Sequence, residues 1–399
     1  MGIFWNTKNK GDLALVFDIR SCSVGAALFL TKKNGIPKII FSIREPIPME
    51  ENVETDKFLS SMIKALERAA KTVENARMGA PKRIFCVLAS PLHFSQTRVI
   101  RLEKNAPFIF TAKLANDLIQ KEISLFEEEH SLKYSNAGSK LRSIEFKNIK
   151  TMLNGYEASN PLDQKAKDLE MSIFISMSGE SVLQKIEETI CKHFNQRKIT
   201  FSSSLMASFA VVRDMYMHNE NFLLTEIGGE VTDISMIKKN ILRESISFPL
   251  GFNSIVRGLA ARSNSSFGEA KSLISLLKDE HASSAVAKNS GPVIDDLKKE
   301  WLLKFQESLS HLSNDISIPA TIYLVVNGEM SGFFSETIKG EQFNQYTLTE
   351  SKFTVVFLGA EVFHGMAVFG ENVVRDATLV VDAIYVNRFL IHSLPPEKI

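Results

Sequence analysis

The chain has 399 residues, more than one hydrophobic core ordinarily serves, so a single small module is excluded and at least two lobes are expected. Hydrophobic residues make up 44% and charged residues 23%, a balance that excludes a disordered or fibrous chain. Lysine plus arginine (47) against aspartate plus glutamate (46) leaves a net charge of +1, so no global field draws the chain to nucleic acid or acidic lipid, and any polyanion site must be local.

Cys22, Cys86 and Cys191 lie far apart and form no Cys-x-x-Cys pair, which argues against a disulfide framework or a zinc site. The eight histidines form no metal-spaced pair. No apolar run reaches the roughly 18 residues of a membrane span, and Met1 to Lys10 lacks a signal-peptide core. A cytoplasmic place is expected.

In chain order, Leu13 to Leu30 reads as two strands interrupted by Arg20-Ser21-Cys22-Ser23, followed by a third strand at Lys38 to Ile43. Lys57 to Met78 has helical spacing, closed by Gly79 and Pro81. Ile84 to Ala89 and Thr97 to Leu102 predict strands, Thr111 to His130 a helix, and Ile144 to Glu157 a ribbon broken at Asn154-Gly155. With a strand at Leu169 to Met177, the stretch 83–178 reads as an inserted subdomain. Helices at Ser181 to Phe194 and Leu205 to Met217 flank a strand at Lys198 to Ser202. A second strand-turn-strand follows, Phe222 to Ile227 and Val231 to Ile237 around Gly228-Gly229-Glu230. Residues 265–315 read as mostly helical, Ile322 to Val326 as a buried strand, and Lys352 to Leu390 as short strands completing a sheet.

Two hairpins about 200 residues apart, each with an acid at a strand end beside small turn residues, predict duplicated lobes facing one cleft. Such turns can cradle phosphate on backbone N–H groups, while a strand-end carboxylate can organise magnesium. Asp18 and Glu226 are the candidate acids and metal ligands.

Four stretches together resemble one family. They are Val16 to Val24, Leu224 to Ile234, the run from Gly155-Tyr156 to Asn160-Pro161-Leu162, and Tyr323 to Gly332. In order and spacing they resemble the bacterial actin-like proteins of cell division (FtsA) and their pilus-assembly relatives (PilM), over nearly the whole chain. The resemblance implies an α/β, two-lobed actin-like ATPase fold of duplicated ribonuclease-H-like domains with an inserted strand-helix-strand-strand subdomain. The lobes would be 1–82 plus 179–240 and 241–399, with 83–178 inserted. It implies ATP and magnesium at Asp18, Arg20, Ser21, Ser23, Glu226, Gly228, Gly229, Thr232, Glu269, Lys271, Asn327 and Gly328. It also implies partners among division or pilus proteins: a tubulin-like division filament or an inner-membrane tail, with self-association through the inserted domain and no nucleic acid.

The departures from the family pattern decide the expectation. Arg20 stands at a glycine position, Gly25 near the position of a lysine, Glu230 where a phosphate needs a bare N–H, and Asn327 at another glycine. Like charges about 4 Å apart cost on the order of 4 kcal/mol at an effective dielectric near 20. The expectation is therefore a degenerate ATP site in an FtsA-like scaffold, with Arg20 paired to Glu226 or Glu230. The competing expectations are that Arg20 grips a phosphate oxygen in a working ATPase, and that the chain is a PilM-like adaptor. Pro395-Pro396 speaks against a terminal amphipathic membrane helix, so any membrane link is expected to be indirect.

Overall fold

The computed structural model describes residues 11–391 except 34, 53, 135–139, 196–197, 279–283, 314–316 and 344–351. The expectations for both termini, Met1 to Lys10 and Pro395-Pro396, lie outside the described residues.

The first sheet begins with a meander. β1 (Leu13–Ile19), β2 (Ser23–Leu30) and β3 (Lys38–Pro46) pair antiparallel, and β4 (Arg83–Leu88) joins β1 in parallel. Helix α1 (Thr55–Asn75) crosses between β3 and β4, and its Met62, Ala65, Leu66, Ala69, Ala70 and Val73 are buried. A nearly continuous apolar run such as β1 is what a strand covered on both faces requires.

The chain then leaves that sheet. β5 (Phe94–Ile109), α2 (Ala112–Tyr134), β6 (Leu141–Leu153), β7 (Tyr156–Glu157) and β8 (Lys165–Gly179) form a separate sheet in the order β5-β8-β6-β7. Ala115, Ile119 and Phe126 of α2 share a core with Leu169, Met171, Ile173 and Ile175 of this sheet. This unit is shorter than expected at its start: β4 belongs to the first sheet, because its buried residues make it a central parallel strand between β1 and β9.

The return to the first sheet passes through α3 (Glu180–Cys191), β9 (Ile199–Ser203) and α4 (Ser204–Met215). The second sheet holds β10 (Phe222–Ile227), β11 (Thr232–Lys238), β12 (Ile241–Phe248), β13 (Thr321–Val326) and β14 (Thr354–Phe357). Helices α5 (Phe252–Ser263), α6 (Phe267–Lys278), α7 (Ser284–Leu312) and α8 (Ser331–Gly340) accompany it. Trp301, Phe305 and Phe334 sit at the centre of this second core.

Two expected boundaries change. β10 and β11 pair within the second sheet, so that lobe starts before residue 240. After β14 completes the edge of the second sheet, β15 (Val368–Phe369) pairs with β3 of the first sheet and α9 (Ala377–Tyr385) packs on it, so the last part of the tail returns to the first lobe. Short strands do form at β14 and β15, but the last apolar run, where a strand is expected, is the helix α9. Burial on nearly every side of α9 hides the 3.6-residue period.

Candidate functional site

The two hairpin turns face each other across one crevice. β1 ends at Ile19 and β10 at Ile227, and both continue into antiparallel returns. The Ser21 Oγ accepts a hydrogen bond from the Glu230 N–H at 3.1 Å, joining one turn to the other. A Cβ on Gly229 would lie 2.8 Å from Cys22 Cβ, so the turns are in contact and only glycine fits there.

Arg20 fills the space between the acids. It donates from Nε to Asp18 Oδ2 at 2.7 Å and from Nη1 to Glu226 Oε1 at 2.5 Å, and all three residues are buried. A second arginine completes the network. Arg44 lies opposite Gly25 in the β2–β3 register, and a Cβ on Gly25 would come within 2.7 Å of Arg44 Nη2. The missing side chain at Gly25 is thus the channel through which Arg44 reaches Asp18 Oδ2 at 2.7 Å. Arg44 also grips Asp376 with two hydrogen bonds of 2.5 and 3.0 Å and donates to Ser23 Oγ at 3.0 Å. Thr378 donates to Asp18 Oδ2 at 2.7 Å.

These charges set the protonation states. Burial raises the Asp18 pKa, but the charges and hydrogen bonds of Arg20 and Arg44 outweigh it and hold the carboxyl below its ordinary range. Asp376 is lowered in the same way by Arg44, against its own burial. The Asp382 carboxyl, buried on α9, is pushed well above the ordinary range by desolvation and then by the Asp18 charge. Among the described residues, no hydrogen bond reaches Asp18 Oδ1 or Asp382 Oδ2.

The second turn keeps its glycines, yet two of its N–H donors are occupied. The Gly228 N–H binds Val231 O at 2.9 Å, and the Glu230 N–H binds Ser21. The first two N–H groups of α5 bind Gly228 O and Gly229 O at 3.0 and 2.8 Å. Glu230 does not confront Arg20. It turns to Arg257, which grips it from two nitrogens at 2.5 and 3.0 Å, and to Asn253 Nδ2 at 2.7 Å. Arg20 pairs with Glu226 and not with Glu230.

The donor set does not fit magnesium. That ion needs near-octahedral oxygen ligands at about 2.0–2.1 Å. Here Asp18 Oδ2 accepts from Arg20, Arg44 and Thr378, and a guanidinium is bonded to both Asp18 and Glu226. No group of three or more metal-ligating side chains occurs among the described residues.

The remaining candidates divide. Ser23, Lys271 and Asn327 line a pocket of about 200 Å³ together with Arg44 and Asn253. That is below the roughly 300–1,000 Å³ of ordinary ligand pockets. Asn327 has extended backbone angles, φ −55° and ψ 132°, and caps the short helix beginning at Gly328 by accepting from the Glu329 N–H at 3.1 Å. Thr232 is structural: it donates to Leu250 O at 2.6 Å and accepts from the Trp301 indole N–H. Glu269 accepts from the Ser266 N–H and Oγ at 2.7 and 2.8 Å, while Ser266 Oγ accepts from the Glu269 N–H at 3.3 Å. That is a capping box at the start of α6.

On the far side of Glu226 lies a larger cavity of about 720 Å³, bounded by the second sheet, the inserted domain and the first lobe. Asp233 borders it. Desolvation, and then the charge of Glu226 directly opposite in the strand register, raise the Asp233 pKa to about 7.

Sequence reasoning missed Arg44, Asp376, Thr378, Asn253 and Arg257. The Arg44 signal was an arginine at the end of an apolar strand facing a glycine across a predicted meander. The other four depend on contacts between distant segments.

No family model matches the chain, and no curated protein matches it. Among solved structures, a protein from a complex described as the PilM-PilN type IV pilus biogenesis complex superposes with a TM-score of 0.57 at 12% identity, covering 96% of this chain and 99% of that one. The fold is the actin-like ATPase fold. The ethanolamine utilization protein EutJ from Carboxydothermus hydrogenoformans is also similar, with a TM-score of 0.42 at 9% identity over 94% of this chain and 89% of that one. So is a protein of actin-like ATPase fold from Bacteroides thetaiotaomicron, with a TM-score of 0.39 at 12% identity over 89% and 94%. No helix among the described residues is long and apolar enough to cross a membrane.

Proposed function

We propose that the chain is a non-hydrolysing actin-fold adaptor that works through protein contacts in a membrane-associated assembly. The observation carrying this reading is the buried Asp18–Arg20–Glu226 bridge, which occupies the place where nucleotide phosphate and magnesium would lie. An adaptor for pilus assembly, taking the tail of an inner-membrane pilus protein, is the form best supported, since the solved pilus-complex protein matches this chain along its whole length. The division reading rests on the sequence resemblance, including Gly155-Tyr156 and Asn160-Pro161-Leu162. It gains some support from Tyr156, which is 79% exposed at a turn of the inserted domain and so available to a neighbour.

Binding assays with the full chain separate these readings. The adaptor takes up a synthetic inner-membrane pilus-protein tail equally well with and without ATP and magnesium. A chain that instead co-sediments with a tubulin-like filament belongs to division. Tail binding that requires ATP contradicts the reading that the Asp18–Arg20–Glu226 bridge stands in the place of nucleotide phosphate.

A further inference from the structure

The cleft lies at the carboxyl ends of β1 and β10. The opposite end of both sheets has a different charge. There β1, β4 and β9 begin side by side, and so do β10, β13 and β14 in the second sheet. Exposed Lys32, Lys33, Arg83 and Lys198 stand at the strand starts and the β2–β3 turn of the first sheet, and exposed Lys239 and Lys352 at the β11–β12 turn and the start of β14. None of the six has an ion-pair partner among the described residues, whereas the nearby acids Asp12, Asp214 and Glu157 are answered by Lys82, Arg213 and Lys150. Glu220 adds one exposed acid. The six lie outside the last turn of any helix, so helix dipoles do not account for them.

The two lobes join into one surface at this end. Arg388 donates to Gly35 O at 2.9 Å, beside the β2–β3 turn, and pairs with Asp214 at 3.6 Å. Asp214 in turn borders a recess of about 450 Å³ that also takes in Lys150, Arg213, Lys239, Asn240 and Met217. Asn240 Oδ1 is buried and receives no hydrogen bond among the described residues, so the recess calls for a donor as well as an anion. Met217 is 69% exposed at the recess, and Met78 is 47% exposed beside Gly79, which lies against Leu13 at the start of β1. The chain enters here too: a Cβ on Gly11 would meet Thr31 O at 1.6 Å. The ten residues tethered at that point include Ile3, Phe4 and Trp5, then Lys8 and Lys10.

Cations spread along two sheet ends, with apolar side chains among them, suit a lipid surface, whereas a nucleic-acid strand takes a basic groove with stacking aromatics. We propose that this end of the molecule binds the surface of an anionic phospholipid bilayer, with its lysines on the headgroup phosphates and the recess taking one phosphoglycerol headgroup, whose hydroxyl donates to Asn240 Oδ1. The contact is direct, where the sequence suggests an indirect membrane link, and it depends neither on nucleotide nor on a bound protein tail.

Co-sedimentation of the intact chain with two kinds of vesicle tests this, phosphatidylcholine alone and phosphatidylcholine mixed with phosphatidylglycerol. The chain is expected to sediment with the mixed vesicles only, and to be released at 1 M salt, where screening shortens the reach of charge to about 3 Å. Lys32→Glu/Lys33→Glu/Lys239→Glu should weaken binding about a hundredfold, at roughly fivefold for each lysine near an anionic surface. Lys113→Glu/Lys121→Glu/Lys299→Glu, with the same net charge but on exposed positions of α2 and α7, should bind as the unmodified chain does. Asn240→Asp, which adds a negative charge in the recess, should cost about fivefold. Equal binding to the two vesicle types, binding to neither, an equal loss in the two triple variants, or tighter binding to duplex DNA than to the mixed vesicles would each overturn the proposal. The two vesicle types compared on the unmodified chain decide it even where a variant fails to fold.

Discussion

The two hairpin turns end β1 and β10, one in each sheet, and their contacts differ; in the proposed reading each leaves little room for phosphate, for a different reason. After β1 the loss is steric and electrostatic: Arg20 replaces an open backbone with a guanidinium bonded to Asp18 and Glu226. After β10 the glycines remain, but the Glu230 N–H is taken by Ser21 and the Gly228 N–H by Val231. Two independent changes mean that undoing either alone does not recreate an anion site. They also cross-link the lobes, so the cleft that a hinge would open is held by buried charge.

The comparison can be broken hardest at Arg20. Arg20→Ala leaves Asp18 and Glu226 buried without their shared partner, which ordinarily costs about 3–5 kcal/mol. Urea denaturation should show this loss, and ATP should still fail to bind because the Gly228 and Glu230 N–H groups stay occupied. Restored ATP binding in Arg20→Ala would mean that the second turn is not independently closed.

Gly25→Ala tests the path of Arg44. The added methyl meets the guanidinium at 2.7 Å, and crowding of this kind costs about 1–3 kcal/mol. Gly25→Ala combined with Arg44→Ala should recover little, since Asp18 and Asp376 then lose a cation. Ser21→Ala removes one hydrogen bond between the turns, a loss of about 1 kcal/mol, seen as a modest fall in the urea midpoint.

The smallest effect lies outside the cleft. His193 is held between Glu67 Oε1 at 2.9 Å and Glu74 Oε2 at 2.7 Å. Burial lowers its pKa, but the hydrogen bonds and charges of Glu74 and Glu67 outweigh it and raise the pKa above its ordinary 6.5. A raised histidine pKa contributes stability that is complete below 6.5 and fades as pH rises through the raised value. His193→Gln should therefore cost under about 1 kcal/mol below pH 6.5 and almost nothing at pH 9, read by urea denaturation at both pH values.

The fold was legible wherever periodicity and order act locally. The β1–β2 and β10–β11 hairpins, the α1 stripe and the separate inserted unit all follow from runs that a reader can mark on the sequence. The facing of Asp18 and Glu226 followed from the duplicated pattern. What escaped was long-range: that 222–238 pairs in the second sheet, that 368–391 comes back to the first, and that Asp376 and Thr378 reach the first hairpin. Those facts depend on which strand edge stays open after the core forms, and no local pattern encodes that. The choice between Glu226 and Glu230 as the partner of Arg20 stays open in the sequence for a related reason. Arg257, the neighbour of Glu230, is one of many basic residues until α5 begins at Phe252 and presents Asn253 and Arg257 to the same carboxylate.

The most direct measurement is a calorimetric titration of the full chain with ATP and magnesium, followed by the same titration of Ser21→Ala/Arg20→Gly. The unmodified chain should give no binding heat up to millimolar ATP, because the guanidinium of Arg20 already bridges Asp18 and Glu226. The double variant should regain measurable affinity if it stays folded. Micromolar, magnesium-dependent binding of ATP by the unmodified chain would contradict the closed cleft.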